Sequence, residues 1–320
     1  MNVVRLLVYA LICIVSIVGG AHWANLNWQI TELNSEYVEY LFYLVNDLSI
    51  VYVIIPFFVV ELLRYLVLKR LKLNIVLDAL TNGITLGAFM LIEYGLGLLL
   101  VTKLYMYASY YSIFPELPLN WITVGCCILM ADFLYYWEHR LMHRIGIGWA
   151  THTVHHSSPY FNMSVAYRFG PLDSVFPLLF SLPTVLLGFN PFLLLASELF
   201  VQTFQAILHT EIIGKLPKPL EFIFNTPSHH RVHHGSNRQY WDKNYGGILI
   251  IWDRLFGTFE PEKETVVYGI SEPLESVNPF KVFFHGLTRL AKKVSEVKGM
   301  KNKLLVFVKP PDWLPVVKDK

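Results

Sequence analysis

The residues best able to do chemistry in this 320-residue chain are its histidines, twelve in all and unevenly placed. His139 and His143 form an HxxxH pair, and His152, His155 and His156 form an HxxHH run. His209 stands alone ahead of Thr210 and Glu211; His230, His233 and His234 then repeat HxxHH, with His229 directly before them. Residues three or four apart share a helix face, so the pair offers two nitrogens side by side and each run offers three along one stripe. Chance placement of twelve histidines gives a single HxxHH with roughly one chance in sixty, and here the motif occurs twice. Isolated histidines such as His22 and His285 read as ordinary hydrogen-bonded side chains; the clusters read as metal ligands. A structural zinc takes four ligands and a catalytic one three plus water, so this many imidazoles imply two ions. Imidazole alone does not choose among zinc, iron, copper and nickel. The chain lacks the Glu-x-x-His pairs of carboxylate-bridged di-iron bundles and the His-Glu-x-x-His of zinc peptidases.

The elements that must hold these side chains follow from composition. The chain is 54% hydrophobic and 16% charged, with positive mean hydropathy, whereas roughly a quarter of an ordinary soluble domain is charged. A membrane protein is expected. A formal net charge of +2, with no basic run interleaved with aromatics, excludes a nucleic-acid binder. The three cysteines, Cys13, Cys126 and Cys127, lie in apolar segments and form neither a disulfide framework nor a CxxC knuckle. Runs of roughly 20 apolar residues cross the hydrocarbon core. Four precede the first motif: Val3–Ala21, Leu44–Leu68, Ala79–Val101 and Leu119–Trp137. A further block, Pro171–Leu208, is broken at Gly188-Phe189-Asn190-Pro191 and reads as a hairpin of two spans. Glu61 and Glu93 fall in or beside apolar segments, where a carboxyl needs a partner, an interface or a role.

The N-terminal run is read as a retained span, a cleaved signal peptide being the alternative. With the N-terminus in the cytoplasm, the second span ends inside at Lys69-Arg70-Leu71-Lys72, as the positive-inside rule prefers. The fourth span then ends inside too, so the histidines face the cytoplasm with the basic C-terminal region of Arg289, Lys292, Lys293, Lys298, Lys301 and Lys303. The stretch Phe280–Leu290 mixes apolar and basic residues and is expected in the membrane surface. The expected fold is an all-α integral membrane protein, a bundle of about four to six transmembrane helices with a cytoplasmic histidine-rich helical cap holding a dinuclear metal site. Its parts are N-terminal transmembrane helices (1–118), a catalytic domain (119–260) and a basic, interfacial tail (261–320).

The order HxxxH, HxxHH and a later HxxHH beside a bilayer resembles the fatty acid hydroxylase and sterol desaturase superfamily, over about Asp132–Phe259. The stretch Asp132–Arg140, the run Pro227–His234, Asn244-Tyr245-Gly246 and Trp252–Phe259 look most like its alkylglycerol monooxygenase branch and bacterial relatives. The resemblance implies a metal-dependent oxygenase holding two iron ions, zinc being a possible substitute. Carried over by position, the ligands are His139, His143, His152, His155, His156, His209, His230, His233 and His234. His229 falls outside the HxxHH spacing and is placed behind the ligands. The family often supplies another ligand near its middle histidine, for which this chain offers Glu211 or Asn162. Carboxylates commonly orient ligating imidazoles through their second nitrogen; of Asp132, Glu138, Glu211, Asp242 and Asp253, Asp132 and Glu211 are expected to do so. Ion pairs with Arg140, Arg231 or Arg254 are the plainer expectation for such residues.

An unactivated C–H bond has no acidic proton and no electrophilic carbon, so a redox metal that cleaves O₂ is required, with the protein orienting substrate and excluding side reactions. The expected reaction is hydroxylation or desaturation of a membrane lipid that enters laterally between helices. The aromatics Tyr135, Tyr136, Trp137, Trp149, Tyr160 and Phe161 lie nearby, where an interfacial belt is the simpler reading. Neither a haem-binding nor a flavin-binding domain is evident, so electrons come from a ferredoxin, a cytochrome b5-like protein or a reduced pterin. The competing readings are a zinc hydrolase acting through metal-bound hydroxide and a histidine-rich metal sensor. A transporter would hold its ligands near the bilayer midplane, which these motifs do not. A bacterial inner membrane is favoured over the endoplasmic reticulum.

Overall fold

On the first two helices of the described residues, polar side chains face inward and most apolar ones outward. The structure is a computed structural model that describes residues 54–92 and 98–315. The expected span Val3–Ala21, the first part of Leu44–Leu68, His22 and Glu93 lie outside these residues. Helix α1 (Ile55–Val67) opens on Pro56, whose fixed φ suits a first turn, and ends at a turn in which Lys69 has φ 51°. Helix α2 (Leu73–Ile92) follows the basic loop. It buries Asp78, Thr81, Asn82 and Thr85, spaced to share one face, and exposes Leu73, Leu80, Ile84 and Leu91. A surface helix in water shows the reverse pattern.

The span expected at Ala79–Val101 is therefore displaced: α2 starts six residues earlier, and a separate helix, α3, covers Leu98–Ser109. Asn74 and Asp78 hid the true start from an apolar-run reading, because Asp78 is partnered inside the fold. Helix α4 (Trp121–Arg144) begins where the Asn120 side chain accepts from the amides of Ile122 and Thr123. It continues past Trp137 through His139 and His143, so the span and the HxxxH motif are one helix. Helix α5 (Gly146–His156) follows after the single extended residue Ile145.

The break expected at Gly188–Pro191 is present. Gly188 has φ +91°, the Asn190 side chain accepts from the amides of Phe192 and Leu193, and Pro191 opens the next helix. It separates α6 (Val175–Leu186) from α7 (Pro191–Leu208). At 1.5 Å per residue, a 12-residue helix reaches only about 18 Å, short of the roughly 30 Å hydrocarbon core. The expected two-span hairpin therefore contains one helix of crossing length. Among the described residues, α2 and α7 are the two helices long and apolar enough to cross a membrane. Tyr105, Cys127, Val185, Phe189, Leu193 and Leu194 form the core that joins α3, α4, α6 and α7.

The remaining helices are short, α8 (Lys218–Ile223), α9 (Pro227–His233) and α10 (Ile251–Leu255), followed by α11 (Pro279–Glu296) and α12 (Met300–Val308). The described residues hold two isolated β-bridges, Phe224 with Leu249 and Gly235 with Tyr268, and no strand. The C-terminal region folds onto the site rather than trailing from it. Helix α11 packs on α5, burying Val282, Phe283 and Leu290. A Cβ at Gly286 would stand 2.0 Å from the Ala150 carbonyl oxygen, so glycine permits this approach.

Two polar links, the second fully buried, tie the early helices to the histidine segments. Glu61 accepts from the Thr210 hydroxyl (2.5 Å), and Arg64 reaches Glu211 (3.2 Å), joining α1 to the residues just after His209. Arg168, 1% exposed, donates to Asp78 (2.9 Å) and Asn82 (2.6 Å) on α2 and to the Val154 carbonyl and Ser157 hydroxyl (both 3.0 Å) at the end of α5. Removing one partner of a buried ion pair strands the other charge, at a cost of about 3–5 kcal/mol. Arg168→Leu is thus expected to lower the thermal unfolding midpoint in detergent sharply, and an Asp78→Leu, Arg168→Leu double variant to lose less than the sum of the single changes.

Candidate metal centre

The three motifs reach the site on different elements. The last two turns of α4 carry His139 and His143, the last turn of α5 carries the first HxxHH, α9 with its C-terminal residue carries the second, and His209 closes α7. Their side chains gather into two sets. His139, His143, His152, His156 and His233 form one, His155, His209, His230 and His234 the other; within each set the candidate ligand nitrogens lie within 4.8 Å of one another. Helix geometry explains the division. At 3.6 residues per turn, residues i and i+4 nearly align while i+3 is turned well away from i+4. His152 and His156 therefore enter one set and His155 the other, and the second HxxHH does the converse, with His230 and His234 together and His233 across.

Backbone carbonyls fix the ring orientations. The Nδ1–H of His139 donates to Tyr245 O (2.9 Å), that of His209 to Gln205 O (3.0 Å) and that of His233 to Lys243 O (3.0 Å). Each ring then keeps a lone pair on Nε2 that points into its set. His139 Nε2 lies 3.1 Å from His152 Nε2, and His209 Nε2 lies 3.2 Å from His155 Nε2 and 3.0 Å from His230 Nε2. The Nε2 atoms of His143, His156, His233 and His234 are buried without a hydrogen-bond partner among the described residues. Buried polar atoms normally have partners, so facing lone pairs and orphaned nitrogens fit a cation in each set. Burial pushes His152, His155, His156, His230 and His234 well below the ordinary imidazole range and His209 to about 3, with neighbouring imidazoles adding to the shift, and burial alone takes His233 to about 4 against the Lys243 carbonyl that raises it. The neutral form is the one that ligates metal.

The carboxylates expected to orient the rings stand elsewhere. Asp132 accepts from the amides of Ile248 (2.5 Å) and Leu249 (3.2 Å) and from the Trp252 indole (2.8 Å). Glu211 pairs with Arg64 and with the Tyr268 hydroxyl (3.3 Å). His229 points away from both sets to Glu221, 3.0 Å away, and the Asn162 side chain caps Ser164. Neither Glu211 nor Asn162 joins the four-histidine set. The loop after α9 supplies the orienting groups instead. Asp242 and Asn244 have φ near +58°, a conformation that Asp and Asn tolerate better than other side chains. Asp253 accepts from the amides of Tyr245 (2.8 Å) and Gly246 (2.7 Å), fastening the loop whose 243 and 245 carbonyls hold His233 and His139. Asp242 is the carboxylate beside the five-histidine set, 3.9 Å from His143 Nδ1 and 2.5 Å from Arg144. Asn244-Tyr245-Gly246 and Trp252-Asp253 carried the sequence signal for this loop, but spacing alone assigned it no role.

Two cavities adjoin the sets. An inner one of about 120 Å³ touches His139 and His152 of one set and His155 and His209 of the other, among Tyr135, Met142, Phe169 and Pro177. An outer one of about 420 Å³ is lined by His143, His156, His233 and His234 with Arg144, Trp241 and Asp242.

Residues 124–258 match the fatty acid hydroxylase family, a stretch that contains all nine clustered histidines. The resemblance read from its motifs is borne out. More particularly, the chain is similar to the alkylglycerol monooxygenase of Homo sapiens, 43% identical over 219 residues (68% of this chain and 48% of the relative). It is 45% identical to that of Danio rerio over 204 residues (63% and 45%). It is also 34% identical to the ornithine lipid hydroxylase OlsE of Rhizobium tropici over 149 residues (45% and 44%). The chain spans about half the length of these relatives, and no solved structure matches it.

In the unfolded chain, imidazoles protonate below about pH 6.5, while the buried ones stay neutral to lower pH. The unfolded state therefore binds more protons as acid is added, and stability falls. The stability from neutral burial is expected to be complete above about pH 7 and to decline from pH 6.5 towards the lowered values, as checked by urea unfolding midpoints at several pH values. A midpoint independent of pH between 7 and 5 would contradict neutral burial of the clusters.

Proposed function

We propose that the protein is a membrane-embedded oxygenase that uses two iron ions, one in each histidine set, with O₂ and external electrons to oxidise a C–H bond of a lipid. The observation that carries this reading is the convergence of nine imidazoles, eight buried and His155 half-buried, into a set of five and a set of four beside one cavity. Iron, when bound, supplies the redox chemistry that O₂ reduction and C–H oxidation need; zinc in the same ligands would not.

The chain's own part is to bind, orient and exclude. Backbone carbonyls hold three imidazoles in the ligating tautomer, and burial keeps the rings neutral. Tyr135, Met142, Phe169 and Pro177 shape the inner cavity so that a lipid carbon can stand against both sets. Balance for hydroxylation requires two electrons and two protons for each O₂, one oxygen atom entering the lipid and the other leaving as water. The outer cavity, with Arg144, Asp242 and Trp241 beside four of the ligands, is the side on which we place the donor, of ferredoxin, cytochrome b5-like or reduced-pterin type. The names of the similar proteins, a monooxygenase of alkylglycerols and a hydroxylase of ornithine lipids, support a lipid substrate.

Membrane embedding is supported by the apolar outward faces of α1 and α2 and by the crossing length of α2 and α7. Lys69, Arg70 and Lys72 follow α1 at the end that Arg64 and Glu61 join to Thr210 and Glu211, beside His209. The positive-inside rule thus favours a cytoplasmic histidine side, and a bacterial inner membrane is the host we favour.

Because a set of four or five imidazoles suffices for one ion, the purified protein loaded with ferrous iron in detergent is expected to bind about two irons per chain and to consume O₂ when lipid and reductant are present. His156→Ala and His234→Ala each remove a ligand from a different set; each is expected to lower iron to about one per chain and to abolish lipid-dependent O₂ uptake. Tight zinc with lipid hydrolysis and no O₂ uptake under any donor would reject the oxygenase.

A further inference from the structure

Resting on the oxygenase reading, we propose that Glu138 is the specificity-determining residue of the inner cavity, accepting a hydrogen bond from a hydroxyl on the lipid close to the carbon that is oxidised. Glu138 precedes His139 on α4 and lines the cavity that touches both histidine sets. It is 7% exposed, yet among the described residues no hydrogen bond or ion pair engages its carboxyl. Of the other polar groups that line it, Gln202 is exposed, and Tyr135, Gln205 and Asp173 are already engaged. The Tyr135 hydroxyl donates to Gln205 (3.1 Å), and Asp173 accepts from the Thr151 hydroxyl (2.7 Å) and the Gly170 amide (2.6 Å). Glu198, further along α7, accepts from the Ser181 hydroxyl. Glu138 is left with acceptor capacity facing the space in which a substrate must lie.

Helix α7 strengthens the case. Glu198, Gln202, Gln205 and His209 fall at i, i+4, i+7 and i+11, one polar stripe along a helix that is otherwise apolar and leads to the four-histidine set. A cavity meant for a bare alkyl chain would be lined with apolar groups, since displacing water from amides and a carboxyl without replacing their hydrogen bonds is costly. A substrate hydroxyl supplies the missing donor. A cationic group fits less well, because the positive charge of two metal ions stands against the same cavity.

The test is equilibrium binding to the zinc-loaded protein in detergent, which requires no turnover. The probes are dodecane-1,2-diol and dodecane, with affinities corrected for partition into micelles. A site built to hydrogen-bond a hydroxyl rejects the analogue that lacks it, so the unaltered protein is expected to prefer the diol by roughly a hundredfold or more. Glu138→Leu is expected to erase most of that preference by weakening diol binding alone, while Glu138→Gln, which keeps an acceptor oxygen, retains part of it. Zinc content is expected to equal that of the unaltered protein in both variants. Equal binding of the two probes, a preference that survives Glu138→Leu, or loss of zinc from either variant would overturn the proposal. Failure of the oxygenase reading registers separately, as absent O₂ uptake by the iron-loaded protein.

Discussion

Nine imidazoles share one buried volume only if each stays neutral and turns a lone pair inward. A protonated ring among eight neighbours would carry an unsolvated charge, and a ring in the wrong tautomer would present a proton where a lone pair is needed. Carbonyl oxygens at positions 205, 243 and 245 meet this condition for His209, His233 and His139. A carbonyl accepts but never donates, so it fixes the tautomer without adding charge. Carboxylates in the same places would add negative charge to a dry interior that already holds several titratable groups. Much of the local architecture follows: the left-handed Asp242 and Asn244, the Asp253 clamp on the amides of 245 and 246, and the Asp132 clamp on the amides of 248 and 249 hold a loop whose carbonyls must not move.

The spacing of the histidines made the clusters legible, because helix periodicity converts three- and four-residue intervals directly into shared faces. It could not reveal how the HxxHH runs exchange members between sets, which depends on how α5 and α9 face each other. Nor could it assign the orienting groups. Every residue has a carbonyl, so nothing in a side-chain pattern marks 205, 243 or 245 as special. Asp132 lies seven residues before His139 and so near its helical face, yet its carboxyl turns to the 248–252 segment. Glu211 is adjacent to Thr210 and close to His209, yet Arg64, 147 positions away, decides where it points.

Among the described residues, apolar-run reading placed α1, α2, α4, α6 and α7 and misjudged their ends, in α2 for a physical reason. It scores polarity as evidence against a span, while α2 uses polarity as internal structure. Asp78 and Asn82 are buried against Arg168, and Asn82 also meets Ser164. Polar side chains that find partners inside the bundle cost little there, while the outward face stays apolar. The Gly188–Pro191 break was legible because a left-handed glycine, a capping asparagine and a helix-opening proline are local signals. Helix length on either side of it was not, since the apolar run continues through residues that are not helical.

The Arg168 network also accounts for an arrangement that the metal sets alone would not require. Arg168 binds Asp78 and Asn82 on a helix of crossing length and, through the Val154 carbonyl and Ser157, the turn that carries His155 and His156. Those two histidines belong to different sets. One guanidinium therefore sets the position of both halves of the site relative to α2. Glycine at 286 lets α11 approach Ala150 of α5, and α11 packs on α2 as well. Helix α5 is thus held by α11 as well as by the Arg168 network, and the two cavities beside it are lined by different histidines, His139, His152, His155 and His209 in one and His143, His156, His233 and His234 in the other.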